Sequence, residues 1–143
     1  MEIKSFGKAI LLAPIAAPAI YFALLVIVIP FAPESVVTNI AGLIFYGAKA
    51  LPMGYIGAIL IMLPGVTLLK TTNRLTVTNL VISGFISGAV LFPMLVSYIT
   101  HYYLSYMITS PHIAWYLIPG GAMGVGVAYY FSLISGITKP SKV

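Results

Sequence analysis

The chain has few charged side chains and contains no cysteine and no aspartate. Only 6% of its 143 residues are charged, and Glu2 and Glu34 are its only acids. The absence of cysteine excludes disulfides, thiolate metal sites and thiol nucleophiles. The absence of aspartate leaves a Ser-His-Asp triad without the residue that orients its histidine, and the apolar segments hold no pair of carboxylates. The sequence therefore predicts a protein that is not an enzyme and binds no metal or cofactor.

The composition indicates that most of the protein surface contacts lipid. The chain is 61% hydrophobic with a mean hydropathy of +1.10, whereas a soluble domain has about 25% charged residues. The polar side chains are too few to cover a surface that faces water. We therefore predict that the protein lies in a lipid bilayer. The net charge of +5 does not indicate a nucleic-acid partner, because the basic residues flank the apolar segments.

The positions of the basic residues predict how the chain crosses the membrane. Six of the seven lie in three pairs that flank four apolar segments: Lys4 and Lys8, Lys70 and Arg74, and Lys139 and Lys142. Lys and Arg concentrate in cytoplasmic connections of membrane proteins. We therefore predict a multi-pass protein of the cytoplasmic (inner) membrane with both termini in the cytoplasm.

The predicted fold is all-α, an integral membrane four-helix bundle that forms a single transmembrane domain over residues 1–143. The predicted spans are at about residues 9–29, 53–69, 75–99 and 113–137, lengths suited to a hydrocarbon core of about 30 Å. A cleaved signal peptide is the alternative for the first segment, although its apolar run is long for one.

An additional helix, interfacial or half-inserted, is predicted between spans 1 and 2 at about residues 36–48. Pro52 and Gly54 follow it and predict a break before the second span. Lys49 then lies at the outer interface, where its aliphatic stem lets the ammonium group reach the headgroups. The alternative is one long helix over residues 36–69, which places Lys49 inside the membrane, where a cation is costly and marks a functional site.

Small residues at four-residue spacing predict the faces by which the helices associate. Helices in lipid approach closely where Gly, Ala and Ser line their surfaces. Every span carries such residues: the first has Ala9, Ala13 and Ala17, the second Gly54 and Ala58, and the third Gly84 and Gly88. The fourth carries a longer ladder: Gly120, Gly124, Ala128, Ser132 and Gly136. Packing within the bundle explains most of this pattern. The length of the ladder also predicts a contact with another subunit or with a partner protein.

Few polar residues remain as candidates for other roles. Ser83, Ser87 and Lys49 are the residues from which a polar path or pore would be built. His101 and His112 flank the connection between spans 3 and 4, and they are candidates for pH sensing because histidine titrates near neutrality.

Two functions follow as hypotheses. The first is non-enzymatic helix–helix association with another membrane protein, as an accessory subunit, assembly factor or inhibitor or immunity-type protein. The alternative is a homo-oligomeric channel or passive transporter for an ion or small solute.

Overall fold

The computed structural model describes residues 5–28, 30, 40–100, 109 and 113–137. The regular structure within these ranges is helical, with no strand. We number the four long helices α1 to α4. Helix α1 comprises Phe6–Leu12, a 3₁₀ turn at Ala13–Ile15, and Ala16–Val28. Helix α2 comprises Ile40–Gly57, a π-helical turn at Ala58–Met62, and Leu63–Thr71. Helices α3 and α4 are Val77–Thr100 and Ala114–Ser135.

Each of the four helices contains a segment long and apolar enough to cross a membrane. Within the described residues these segments are Phe6–Ile27, Gly47–Thr71, Val77–Tyr98 and Tyr116–Ser135. The prediction of an all-α protein with four such helices is confirmed, and this number of apolar helices indicates a multi-pass membrane protein.

Helix α2 differs from the preferred prediction because it continues through Pro52. Residues 40–48 are the first part of this helix, so a separate interfacial helix is not confirmed; residues 36–39 lie outside the described part of the chain. The described residues correspond to the alternative of one long helix. Lys49 lies within it and is exposed, with its Nζ atom 5.4 Å from the centre of the Phe45 ring.

Two irregular turns coincide with prolines. Proline has no N–H, so a carbonyl one turn before it loses its usual helical donor. The 3₁₀ turn of α1 contains Pro14, and the π-helical turn of α2 ends two residues before Pro64. In α1, the hydroxyl of Tyr55 from α2 donates a hydrogen bond of 2.7 Å to the carbonyl of Leu11. A side chain from a neighbouring helix therefore serves a backbone group just before the irregular turn.

Helix α4 is the centre of the bundle. It packs most extensively against α3, and α1 makes its largest contact with α4 as well. The contact between α1 and α4 includes Phe6 and the fully buried Phe131, whose rings meet edge to face with centroids 5.5 Å apart. Helix α2 is the least enclosed, since 11% of its apolar segment is buried compared with 39% for α4.

Candidate functional site

The glycines of α3 and α4 bring the two helices into backbone contact. A Cβ atom added at Gly84 or Gly88 would overlap the carbonyl oxygen of Gly124 or Gly120, respectively. The same overlap occurs in reverse for Cβ atoms added at Gly120 and Gly124. The pairing of 84 with 124 and of 88 with 120 makes the helices antiparallel. Only glycine, which has no side chain, permits this separation.

The remaining members of the α4 ladder have different surroundings. A Cβ atom at Gly84 would lie 2.6 Å from that of Ala128, so Ala128 extends the same contact. Ser132 is fully buried, and its hydroxyl donates to the Tyr129 carbonyl at 2.7 Å. Gly136 lies directly after the end of α4 and has a φ of 76°. No atom lies within 4 Å of a Cβ atom added there. Its left-handed conformation ends the helix in the way that glycine favours.

The ladder therefore packs mainly within the protein. Gly120, Gly124 and Ala128 are covered by α3, and Gly136 acts as a helix cap rather than as a contact surface. A partner protein has no access to this surface while α3 and α4 remain together. The contact that the length of the ladder predicts with a partner protein stays a prediction.

A cleft lies between α2 and α3, with α4 forming its floor. It encloses about 740 Å³ of empty space, its open side included. The α2 wall is rich in small residues, namely Gly54, Gly57, Ala58 and Gly65, and the cleft has no charged residue in its lining. A Cβ atom at Gly65 would be 3.6 Å from Ser83 Oγ, an ordinary contact distance, so the two walls leave room for a methyl group there.

The cleft is long and narrow. Leu80 and Leu95 both line it, so it follows α3 for about 22 Å at about 1.5 Å per residue. Its 740 Å³ is an upper bound, because the open side is included, and it is too small for a helix of that length about 10 Å across. A row of side chains fits this space, and an entire helix does not.

The structure places two of the three residues of the predicted polar path in this cleft. Ser83 and Ser87 line the α3 wall, and the hydroxyl of Ser87 donates to the Ser83 carbonyl at 2.7 Å. Lys49 is not among the lining residues, although its neighbour Ala50 is. The three residues therefore do not form one path within a single chain.

The predicted pH-sensing residues His101 and His112 lie outside the described residues, as do both glutamates of the chain. The predictions of pH sensing and of the absence of a metal therefore stay predictions.

The sequence interpretation missed the α2 wall of the cleft, apart from Gly54 and Ala58. Gly57 and Gly65 belong to it as well. The signal was present, because Gly54, Ala58 and Gly65 are separated by four and seven residues, spacings that share one face of a helix.

Comparisons of the chain with protein families, with curated proteins and with solved structures give no match.

Proposed function

We propose that the protein acts without catalysis, by helix–helix association with another membrane protein. The association site is the cleft between α2 and α3, in place of the α4 ladder. A helix of the partner lies across the open side of the cleft and inserts one row of large side chains. Such a protein serves as an accessory subunit, assembly factor or inhibitor of the protein to which it binds.

The observation that supports this proposal is the looser packing of α2 against α3 at Gly65. Small residues on a membrane helix allow another helix to come close. The glycines of α3 and α4 are in backbone contact, and on α2 Gly54 and Gly57 are closely covered by α1 and α3. At Gly65, by contrast, an added Cβ atom would meet only Ser83 Oγ, at 3.6 Å, and no backbone atom. The volume of the cleft is too small for a whole helix about 10 Å across, so the partner would insert side chains only.

The proposal includes an orientation in the cytoplasmic (inner) membrane with both termini in the cytoplasm. Ser5 Oγ donates to the Ile134 carbonyl at 2.6 Å, which supports a common end for the start of α1 and the end of α4. Because α3 and α4 are antiparallel, the start of α3 belongs to that end too. Lys8 and Arg74 are then on one side of the membrane, the arrangement favoured for cytoplasmic residues.

Replacing Gly65 by leucine tests the cleft. The new side chain would extend into the cleft without a backbone clash, and the loss of a helical glycine favours the helix by about 1 kcal/mol. We expect the variant to fold and to bind the partner at least about tenfold more weakly, because the leucine occupies the space of a partner side chain. A tenfold loss corresponds to about 1.4 kcal/mol of binding free energy. Native mass spectrometry of the tagged protein, gently extracted from its own membrane, measures the bound partner.

The matched control is Gly7→Leu, since no atom lies within 4 Å of a Cβ at Gly7. This variant should retain the partner. Equal retention by both variants would exclude the cleft as the association site. Loss of a bound phospholipid instead of a protein would show that an acyl chain occupies the cleft.

The homo-oligomeric channel is the second candidate, supported by the position of Ser83 and Ser87 on the cleft wall. In that case a second copy faces the cleft and completes the path. Lys49→Glu should then change ion selectivity in liposome flux assays, because it reverses a charge on the exposed face of α2. Unchanged selectivity would remove Lys49 from the channel, and a monomer without flux would exclude the channel itself.

A further inference from the structure

We propose that a shallow pocket beside the α2–α3 loop binds one anionic phospholipid. The pocket shares Leu69, Ser83 and Ser87 with the cleft and extends from there over the exposed side of α3. Its lining includes Leu69, Arg74, Asn79, Ile82, Ser83 and Ile86. This inference does not require the proposed partner protein, because it rests on Arg74, Ile82 and Ile86, which do not line the cleft.

The polar end of the pocket is cationic. Arg74 lines it, and Lys70 is exposed in the last turn of α2. The acids of the chain, Glu2 and Glu34, both lie outside the described residues, so no carboxylate from residues 40–100 pairs with either cation. The planar guanidinium group of arginine matches a phosphate with two parallel hydrogen bonds. The charge therefore favours an anionic headgroup.

The loop that carries Arg74 has a defined backbone. The N–H of Arg74 donates to the Leu69 carbonyl at 2.8 Å, and Nδ2 of Asn79 donates to the Arg74 carbonyl at 2.7 Å. Thr76 caps α3, since its hydroxyl oxygen accepts from the N–H of Asn79 at 3.2 Å. These bonds hold Arg74 at the start of α3, next to the pocket.

The other end of the pocket is apolar. Ile82 and Ile86 are 52% and 59% exposed and lie one turn apart on α3. From Asn79 to Ile86 the helix rises roughly 10 Å, which lies within one leaflet of a hydrocarbon core about 30 Å thick. A cation at the membrane surface and an apolar wall directly below it match the headgroup and the upper acyl chain of one phospholipid.

This arrangement distinguishes the pocket from the cleft, which has no charged lining residue. Basic pockets between membrane helices at the cytoplasmic face recruit anionic headgroups, and each Lys or Arg near the surface strengthens such binding by about fivefold. Zwitterionic lipids have no net charge and do not gain this attraction.

The test is native mass spectrometry of the full chain with phosphatidylglycerol or phosphatidylcholine added in equal amounts. We expect one phosphatidylglycerol to bind preferentially and Arg74→Gln to weaken its binding about fivefold. Lys8→Gln removes the same charge from the same end of the bundle but away from the pocket, so it should have no such effect. Ile86→Ser keeps the charge and removes part of the apolar wall, and it should weaken binding as well.

Three results would overturn the proposal. Equal loss for Arg74→Gln and Lys8→Gln would indicate diffuse surface charge. Equal binding of the two lipids would indicate an apolar surface without headgroup selection. Displacement by inorganic phosphate at millimolar concentration, with Ile86→Ser unaffected, would indicate a site for a free anion. Circular dichroism of each variant establishes that it is folded before the comparison.

Discussion

Replacing Gly124 by alanine should separate helices α3 and α4 and greatly reduce the stability of the protein. The added methyl group would overlap the carbonyl oxygen of Gly84 and would lie 3.1 Å from the Cα of Gly88. Both are backbone atoms, so a side-chain rotation cannot relieve the contact and one helix must move. Overpacking costs about 1–3 kcal/mol, and a clash between backbone atoms belongs at the upper end of this range. Thermal unfolding in detergent micelles, followed by circular dichroism, measures the loss.

Gly7→Ala is the control for this experiment. It adds the same methyl group to a helix, at a position where no atom lies within 4 Å of the new Cβ. It should be neutral or stabilising by up to about 1 kcal/mol, the usual effect of removing a helical glycine. Equal unfolding temperatures for the two variants would contradict the backbone contact. A larger residue at position 124 cannot serve as a test of partner binding, since it disrupts the bundle first.

Replacing Phe131 by alanine should also be strongly destabilising. The Phe131 side chain is fully buried and meets the ring of Phe6 edge to face. Its removal leaves a cavity between α1 and α4, at a cost of about 3–5 kcal/mol. The cost persists in lipid because it comes from lost dispersion contacts rather than from exposure to water. The same unfolding measurement should show a transition at lower temperature.

Leu133→Ala is the control on the same helix. Leu133 is 46% exposed, so its side chain contributes little to the contact between helices, and the change should stay within about 0.5 kcal/mol. If Phe131→Ala were as mild as this control, the packing of α1 on α4 would not contribute to stability.

The fold class could be predicted because hydropathy depends on composition over long windows. The four apolar helices appear in the structure, as their lengths predicted. The predicted break at Pro52 does not appear, because α2 continues through this proline. Proline removes a single backbone donor, and membrane helices tolerate this where nearby groups or a local change of helical turn compensate. Such compensation depends on neighbours that a single segment of sequence does not reveal.

The candidate site was less predictable. The glycines at 84, 88, 120 and 124 indicated close packing from their spacing alone, but the spacing does not specify which helices meet. Every span carries small residues, so the match of α3 to α4 depends on three-dimensional fit. The cleft was harder still, because α2 meets α3 closely at Gly57 and less closely at Gly65, a difference that residue spacing does not specify.

The central position of α4 has a consequence for biosynthesis. Helices α1 and α3 both make their largest contacts with α4, the last of the four helices to leave the ribosome. While α2 and α3 are being made, α1 is in the membrane without its main neighbour, and lipid must cover the face that will later contact Phe131. The bundle therefore closes only after α4 has been made, and a nascent chain halted before residue 114 lacks the helix on which both α1 and α3 depend.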